Sequence, residues 1–400
     1  MFLDGDGSEV DWIVGYGPPP EKFQARVDKI LKGDETFKFL NTEREKDPKD
    51  VAITFKLARK WAERYDVTNA LPLYKEVVRL DPQGKAGTFT NEYTKVAVPY
   101  TEYAEFAIAA SSLSGAKVDV APIRGFLAKY PNTKLLKDAY SRMAYYYGYQ
   151  APKEEAAKFF EEYAGKFPED ANVLSSWLAR IVRDKGPLDK GADLAEKIQT
   201  LARGTPTSTY QSIADFYMLK GDKDKAGDAY GKDFMENRVT GLAYDLISYA
   251  SFWLGKDENK DSALAMAETA LKLQPDNDYI IRQAAGVYLK MDNESKALAL
   301  FGSDYMQKNI ADASALNSYA WFWAGQGKNL ESALIAAAKA VELKPKQYYI
   351  WDTLATVYSK MKNTAEAVRA MEKATELAPE SAKESYKKKL ETMKAEAAKK

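Results

Sequence analysis

Two stretches decide how this chain folds. Residues 248–297 read SYASFWLGKDENKDSALAMAETALKLQPDNDYIIRQAAGVYLKMDNESKA, and residues 318–367 read SYAWFWAGQGKNLESALIAAAKAVELKPKQYYIWDTLATVYSKMKNTAEA. At a constant shift of 70 positions, Ser248, Tyr249, Ala250, Phe252 and Trp253 recur as Ser318, Tyr319, Ala320, Phe322 and Trp323. Ser262-Ala263-Leu264 recurs as Ser332-Ala333-Leu334, and Ala270, Leu273 and Pro275 recur as Ala340, Leu343 and Pro345. Tyr279-Ile280, Tyr288 and Ala297 recur as Tyr349-Ile350, Tyr358 and Ala367. One register held through so many identities marks an internal duplication.

Each copy divides again into halves of about 34 residues. In the last half, Trp351, Leu354, Ala355 and Tyr358 form one apolar stripe at helical spacing. Lys362-Asn363 breaks the helix, Ala367, Met371 and Ala374 form a second stripe, and Pro379 ends it. This resembles the tetratricopeptide repeat, with Ala355 where that family carries Gly and Met371 where it carries Phe. The pattern runs back through Leu57, Ala58, Trp61, Ala70, Tyr74 and Pro82, and through Ala144, Tyr147, Ala156, Phe160 and Pro168. It continues through Tyr210, Ile213, Ala214, Tyr217, Gly221, Ala226 and Tyr230, with weaker copies in 96–131 and 171–204. The expected fold is an all-α tetratricopeptide solenoid of about nine helical hairpins between residues 51 and 381.

The residue types have physical roles. Small Ala58, Ala144, Ala214 and Ala355 let the two helices of a hairpin approach, and large Trp61, Tyr147, Tyr217 and Tyr358 fill the space between hairpins. Pro82, Pro168, Pro275, Pro345 and Pro379 stop the second helices. A single hairpin cannot bury its stripe, so neighbours stack into a right-handed solenoid. The repeats occupy 49–380. Residues 381–400 continue as a capping helix with Tyr386, Leu390 and Met393 on one face, and its seven Lys against three Glu read as a solvated helix end.

Residues 1–48 differ. Phe2-Leu3-Asp4, Gly5-Asp6-Gly7 and Glu9 to Tyr16 read as strand, tight turn and strand. Pro18-Pro19-Pro20 leads into a helix with Phe23, Val27, Ile30 and Leu31 on its apolar face and Gly33 as its stop. The string FLDGDGSEVDWIVGYGPPPEKF resembles the last hairpin and helix of a thioredoxin-like domain, without the half that carries the CxxC. Three arrangements follow: a truncated longer protein, a missing half on another chain, or a segment that packs on the first repeat as an N-terminal cap. The resemblance favours truncation. Fusions of this kind are mostly bacterial and extracytoplasmic, so it also implies a periplasmic or secreted origin.

Composition narrows the chemistry. The 400 residues carry 58 Lys+Arg against 58 Asp+Glu and hold neither His nor Cys. The balance argues against nucleic acid or an anionic membrane as a general partner. The two zeros remove thiolate nucleophiles, zinc–thiolate sites and the Ser-His-Asp triad. No run of 18 apolar residues occurs, which argues against membrane insertion. Asp4, Asp6 and Glu9 miss the EF-hand spacing and read as a hairpin turn. Gly15-Tyr16-Gly17 lacks the Lys-Ser/Thr of a phosphate loop. Asp276-Asn277-Asp278 reads as a helix cap, and Glu161-Glu162 as a solvated face. No catalytic, metal or cofactor site emerges.

The expected activity is therefore binding. In tetratricopeptide arrays the first helices line the concave groove, and groove residues sit one position beyond the packing stripe. Applied to this chain, the resemblance nominates Arg59, Tyr145, Arg180, Arg183, Gln211, Asp215, Ser251, Arg282, Asn317, Trp321 and Asp352. The mixture of charges, amides and aromatics suits an extended peptide. The leading expectation is a non-catalytic scaffold that binds a protein or peptide partner. The alternatives are a truncated thioredoxin-like thiol–disulfide oxidoreductase whose repeats select substrates, and a structural subunit of a larger surface or filament assembly. The oligomeric state stays open.

Overall fold

The computed structural model describes residues 1–13, 20–91, 95–114, 118–201, 207–237 and 242–397. Gly15-Tyr16-Gly17, Pro18-Pro19, the end of the second expected strand and the last three residues of the tail lie outside them. The chain divides into two compact units, Met1–Leu201 and Ala202–Lys400.

In the first unit, β1 (Phe2–Leu3) pairs antiparallel with β2 (Glu9–Asp11). Their turn is closed by Asp4 N donating to Ser8 O at 2.8 Å and Gly7 N to Asp4 O at 2.9 Å. Gly7 stands at φ +83°, where L side chains are strained. The acidic turn is thus a hairpin turn. α1 (Pro20–Leu31) starts on its proline, and Gly33 follows it at φ +77°. α2 (Phe37–Lys46), which the sequence reading did not mark, is capped by Thr36, whose Oγ1 accepts from Phe39 N at 3.1 Å.

Four hairpins complete this unit: α3 (Val51–Glu63) with α4 (Val67–Leu80), α5 (Tyr100–Ser111) with α6 (Ala121–Lys129), α7 (Leu136–Tyr149) with α8 (Lys153–Lys166), and α9 (Ala171–Asp184) with α10 (Leu188–Leu201). Between α4 and α5 the chain inserts a second two-stranded sheet, β3 (Thr88–Thr90) with β4 (Ala97–Pro99), which the sequence reading also missed. Gly87 precedes it at φ +148°, and a Cβ there would stand 2.7 Å from the Tyr100 ring. That close approach explains the glycine.

The N-terminal segment seats on α3. Asp11 is fully buried and pairs with Lys60, while Arg64 Nη2 lies 2.5 Å from Glu9 Oε1 and 3.5 Å from Asp11 Oδ1. The contact to Glu9 is electrostatic, since neither atom is aligned for a hydrogen bond. The Arg64 guanidinium stands 4.0 Å over the Phe37 ring, with Trp61 at 5.5 Å and Trp12 at 5.6 Å. The segment therefore packs on the first repeat.

The second unit holds five hairpins. α11 (Thr207–Lys220) is followed by α12 (Lys223–Gly227), a π-type turn over Asp228–Asp233 and α13 (Phe234–Asn237). Then come α14 (Leu242–Lys256) with α15 (Lys260–Leu273), and α16 (Asp278–Lys290) with α17 (Glu294–Phe301) and α18 (Ser303–Lys308). α19 (Ala313–Gln326) with α20 (Leu330–Leu343) and α21 (Tyr348–Lys360) with α22 (Thr364–Leu377) complete the series. The last helix, α23 (Glu380–Ala397), lays Tyr386, Leu390 and Met393 against the core of this unit.

Sequence punctuation becomes geometry throughout. The residue before each stop proline is a C-cap: Asp81, Phe167, Gln274, Lys344 and Ala378. Asn277 caps α16 by accepting from Tyr279 N and Ile280 N at 3.1 and 3.2 Å, so the acidic turn there is a cap. The duplication repeats down to single dihedrals, with Asn259 and Asn329 at φ +49° and +47°, and Asp292 and Lys362 at +54° and +62°. Trp253 and Trp323 lie fully buried in matching positions. The Trp253 indole donates to Tyr230 O and the Trp323 indole to Phe301 O, each at 2.8 Å. Both carbonyls sit where a second helix breaks, at the π-type turn in one case and at Gly302 in the other. A Cβ on Gly302 would meet Leu298 O at 2.1 Å.

Candidate peptide-binding surfaces

The first helix of each hairpin has one face turned from its partner helix. In the second unit these faces line up by number. Tyr244, Tyr279, Ser314 and Tyr349 begin α14, α16, α19 and α21, and all four are exposed. One turn on stand Ile247, Arg282, Asn317 and Asp352, and a further turn on stand Ser251, Gly286, Trp321 and Thr356. The middle row is the more covered, with Ile247 and Asp352 buried. Trp321 is 51% exposed, against full burial of Trp253 and Trp323. The Tyr244 and Tyr279 rings stack at 5.6 Å, and Asn277 Nδ2 donates to Tyr244 Oη at 2.8 Å. Arg282 extends the stack, its guanidinium 5.8 Å from the Tyr279 ring. Asn317 keeps Oδ1 buried without a hydrogen-bond partner.

Seven of the eleven nominated residues lie on first helices of this unit: Gln211, Asp215, Ser251, Arg282, Asn317, Trp321 and Asp352. Three of them are engaged within the chain. Gln211 Nε2 donates to Tyr230 Oη at 3.2 Å, and Asp215 pairs with Lys256. Asp352 is 8% exposed and accepts from Tyr386 Oη at 3.0 Å and Lys389 Nζ at 2.7 Å. It holds α23 to α21. The tyrosine row was missed, although Tyr279 and Tyr349 had already appeared as repeat identities. Their exposure was the missing information.

In the first unit, Tyr145 is 64% exposed and its ring lies 5.0 Å from that of Tyr149, also exposed. The Arg183 guanidinium stands 4.0 Å over Tyr149, and its Nη1 donates to Gly148 O at 2.6 Å. Two tyrosines and an arginine thus form an open stack across α7 and α9. Arg180 does not join it. It is 8% exposed, donates Nε to Asp184 at 2.7 Å and Nη2 to Ala151 O at 2.9 Å, and reaches Tyr147 O with Nη1. Its donors tie α9 to the end of α7. Arg59 donates to Tyr103 Oη at 2.5 Å and to Glu63 at 3.2 Å, and stacks 4.7 Å from the Phe89 ring. Burial works against the Arg59 cation, but Tyr103, Tyr74 and Glu63 outweigh it and hold the pKa above the ordinary guanidinium value. Glu162 is exposed, as the sequence reading expects of a solvated face, and there takes a forked pair from Arg124 Nη1 at 2.9 and 2.8 Å and a bond from Tyr140.

Among the described residues, no group of three or more carboxylates is placed to hold a metal ion, and no helix is long and apolar enough to cross a membrane.

Hairpins of this length, with buried alanines at the crossings, aromatic residues between neighbours and proline stops, are tetratricopeptide repeats. Residues 254–398, less than half of the chain, match the ChAPs family (Chs5p-Arf1p-binding proteins). No curated protein matches the sequence. Among solved structures, the chain is similar to a tetratricopeptide repeat protein from Parabacteroides merdae ATCC 43184, at 14% identity over 64% of this chain and 98% of that one, with a TM-score of 0.36. It is similar to YrrB, a tetratricopeptide protein with an unusual peptide-binding site, at 17% identity over 57% and 97% of the two chains, TM-score 0.26. A monomeric IFIT1 mutant with Gppp-AAAA is 17% identical over 82% and 70%, TM-score 0.36. These are likenesses at low identity and low TM-score, and the assignment rests on the hairpins themselves.

Proposed function

We propose that the protein is a non-catalytic interaction scaffold, and that the first-helix face of the second unit holds an extended segment of a partner protein. The observation that carries this reading is Trp321, a half-exposed tryptophan on a helix whose neighbouring Trp323 is fully buried. Tryptophan is enriched among the few residues that carry most of the binding energy at interfaces. Tyr279, Arg282 and Asn317 supply an aromatic wall, a cation and an amide on the same face. The ChAPs match covers these residues, and that family's description is of binding to Chs5p and Arf1p.

The test is selection of peptides from a displayed library against the full chain, followed by affinity measurement. Truncating an aromatic hot spot costs about 2 kcal/mol or more, so Trp321→Ala should weaken the selected peptides roughly 30-fold. Arg282→Ala and Asn317→Ala should add to the loss, with circular dichroism unchanged. Undiminished binding by the triple variant would remove this face from consideration.

A further inference from the structure

The first unit contains a cavity of about 350 Å³, near the lower end of the roughly 300–1,000 Å³ of known ligand pockets. The inserted sheet forms one side of it, through Thr88, Phe89, Thr90 and Asn91, while α1 and α3 form the others. Its lining carries five cations against three carboxylates, and since Lys60 is neutralised by Asp11 just outside the lining, the excess is one positive charge. The pairing explains the excess. Arg26 and Arg59 share a single carboxylate, Glu63, at 3.4 and 3.2 Å, and Lys29 has no ion-pair partner among the described residues.

The strand beside this cavity has an open edge. In the β3–β4 ladder, Thr88 faces Pro99, Phe89 faces Val98 and Thr90 faces Ala97. Tyr100 N donates to Gly87 O and Asn91 N to Val96 O, which fixes Gly87, Phe89 and Asn91 as the hydrogen-bonded positions. Thr88 and Thr90 alternate with them, so their N–H and C=O groups point away from β4. Pro99 opposite Thr88 agrees, since a proline has no N–H to offer. No other strand covers that edge among the described residues. An uncovered strand edge is a template for another extended chain.

We infer that β3 accepts an acidic peptide segment as an added strand, with its main chain on Thr88 and Thr90 and a carboxylate side chain in the cavity against Arg26, Lys29 and Arg59. Main-chain bonds supply affinity at this edge, and the cations choose acidic over basic side chains. Phe89, whose ring lies under Arg59, gives an apolar wall for a neighbouring side chain. This site is separate from the Trp321 face and does not depend on it.

The probe is acetyl-Val-Glu-Val-Glu-Val-amide, titrated into the full chain, with Val-Lys-Val-Lys-Val and an N-methylated Glu peptide as comparisons. The Glu peptide should bind at least tenfold tighter than either, and should slow hydrogen exchange of the Thr88 and Thr90 amides at least tenfold. Thr90→Pro removes one outward N–H and leaves the β3–β4 bonds in place, so it should abolish that binding while the Asn91 amide stays protected. Lys29→Glu should weaken binding at least tenfold, and Trp321→Ala should leave it unchanged. No binding at millimolar peptide, equal binding of the Glu and Lys peptides, or full affinity in Thr90→Pro would overturn the inference. Loss of binding in Trp321→Ala would move the peptide to the other face and overturn it as well.

Discussion

Replacing Arg64 with methionine tests what holds the N-terminal segment to the first repeat. Methionine keeps most of the apolar stem but removes the guanidinium, whose side chain is 6% exposed. Breaking a buried ion pair from one side costs about 3–5 kcal/mol. Two features place this case at the lower end. Asp11 keeps Lys60 and the bond from Trp12 N at 2.8 Å, and Glu9, a third exposed, can turn toward water. The buried stacking on Phe37 accounts for roughly 2 kcal/mol of the total. The expected loss is therefore about 3 kcal/mol, or on the order of 100-fold in the population of segments detached from α3. Hydrogen exchange reads this directly, because the Asp4 amide is bonded to Ser8 O inside the hairpin and becomes free when it opens. Arg64→Lys should fall between wild type and Arg64→Met, since it restores charge without the planar stack. A change of less than about fivefold in Asp4 exchange, or below 1 kcal/mol in the variant, would refute the clasp as the source of attachment.

Three other outcomes follow from the same geometry. Trp253→Phe and Trp323→Phe each strand a buried carbonyl, so each should cost about 1–3 kcal/mol in urea unfolding, and the two losses should agree within about 1 kcal/mol. Asp81 is buried, which raises its carboxyl pKa, but bonds from Ala86 N at 2.8 Å, Lys85 N at 2.9 Å and Thr101 outweigh that and leave it below the ordinary 3.8. A depressed folded value stabilises above the unfolded value and is lost as pH falls through the folded one, so the advantage of wild type over Asp81→Asn should be constant from about pH 5 to 8 and shrink only below about pH 4. Asp352→Ala should release α23 by removing the acceptor for Tyr386 and Lys389, seen as faster proteolysis within 380–397 and unchanged cleavage in the first unit.

The repeat architecture was legible because its signals are local and redundant. Ala355, Tyr358 and Pro379 each constrain the same hairpin, and the copy 70 residues earlier repeats the constraint. The sheet of β3 and β4 was not legible. Thr88-Phe89-Thr90 is a three-residue strand whose partner is set by pairing, and the Tyr100 ring that demands Gly87 is known only in space. α2 escaped for a related reason, since its ten residues bury only Leu40 fully. The candidate face was half legible. Register alone placed Trp321 and Arg282 on first helices, but it could not separate them from Arg180 and Asp352. Those two occupy similar positions and spend their charge on Tyr147, Ala151, Tyr386 and Lys389. Which polar residue finds an internal partner is decided by the neighbouring helix, and that is not written in the helix itself.

The bonds of Trp253 and Trp323 to broken second helices have a consequence for how this chain tolerates change. Tyr230 and Trp253 are 23 residues apart, whereas Phe301 and Trp323 are 22 apart, yet both indoles reach their carbonyl at the same 2.8 Å. One residue of extra contour has been taken up without moving the anchor. An unbroken helix would convert that residue into a 100° rotation of everything after it. The extra residue falls after the anchored carbonyl, between Tyr230 and α14, because Asp222 to Tyr230 and Asn293 to Phe301 both span eight residues. Insertions placed between the anchored carbonyl and the following first helix are therefore where this scaffold can lengthen without rotating the residues it displays.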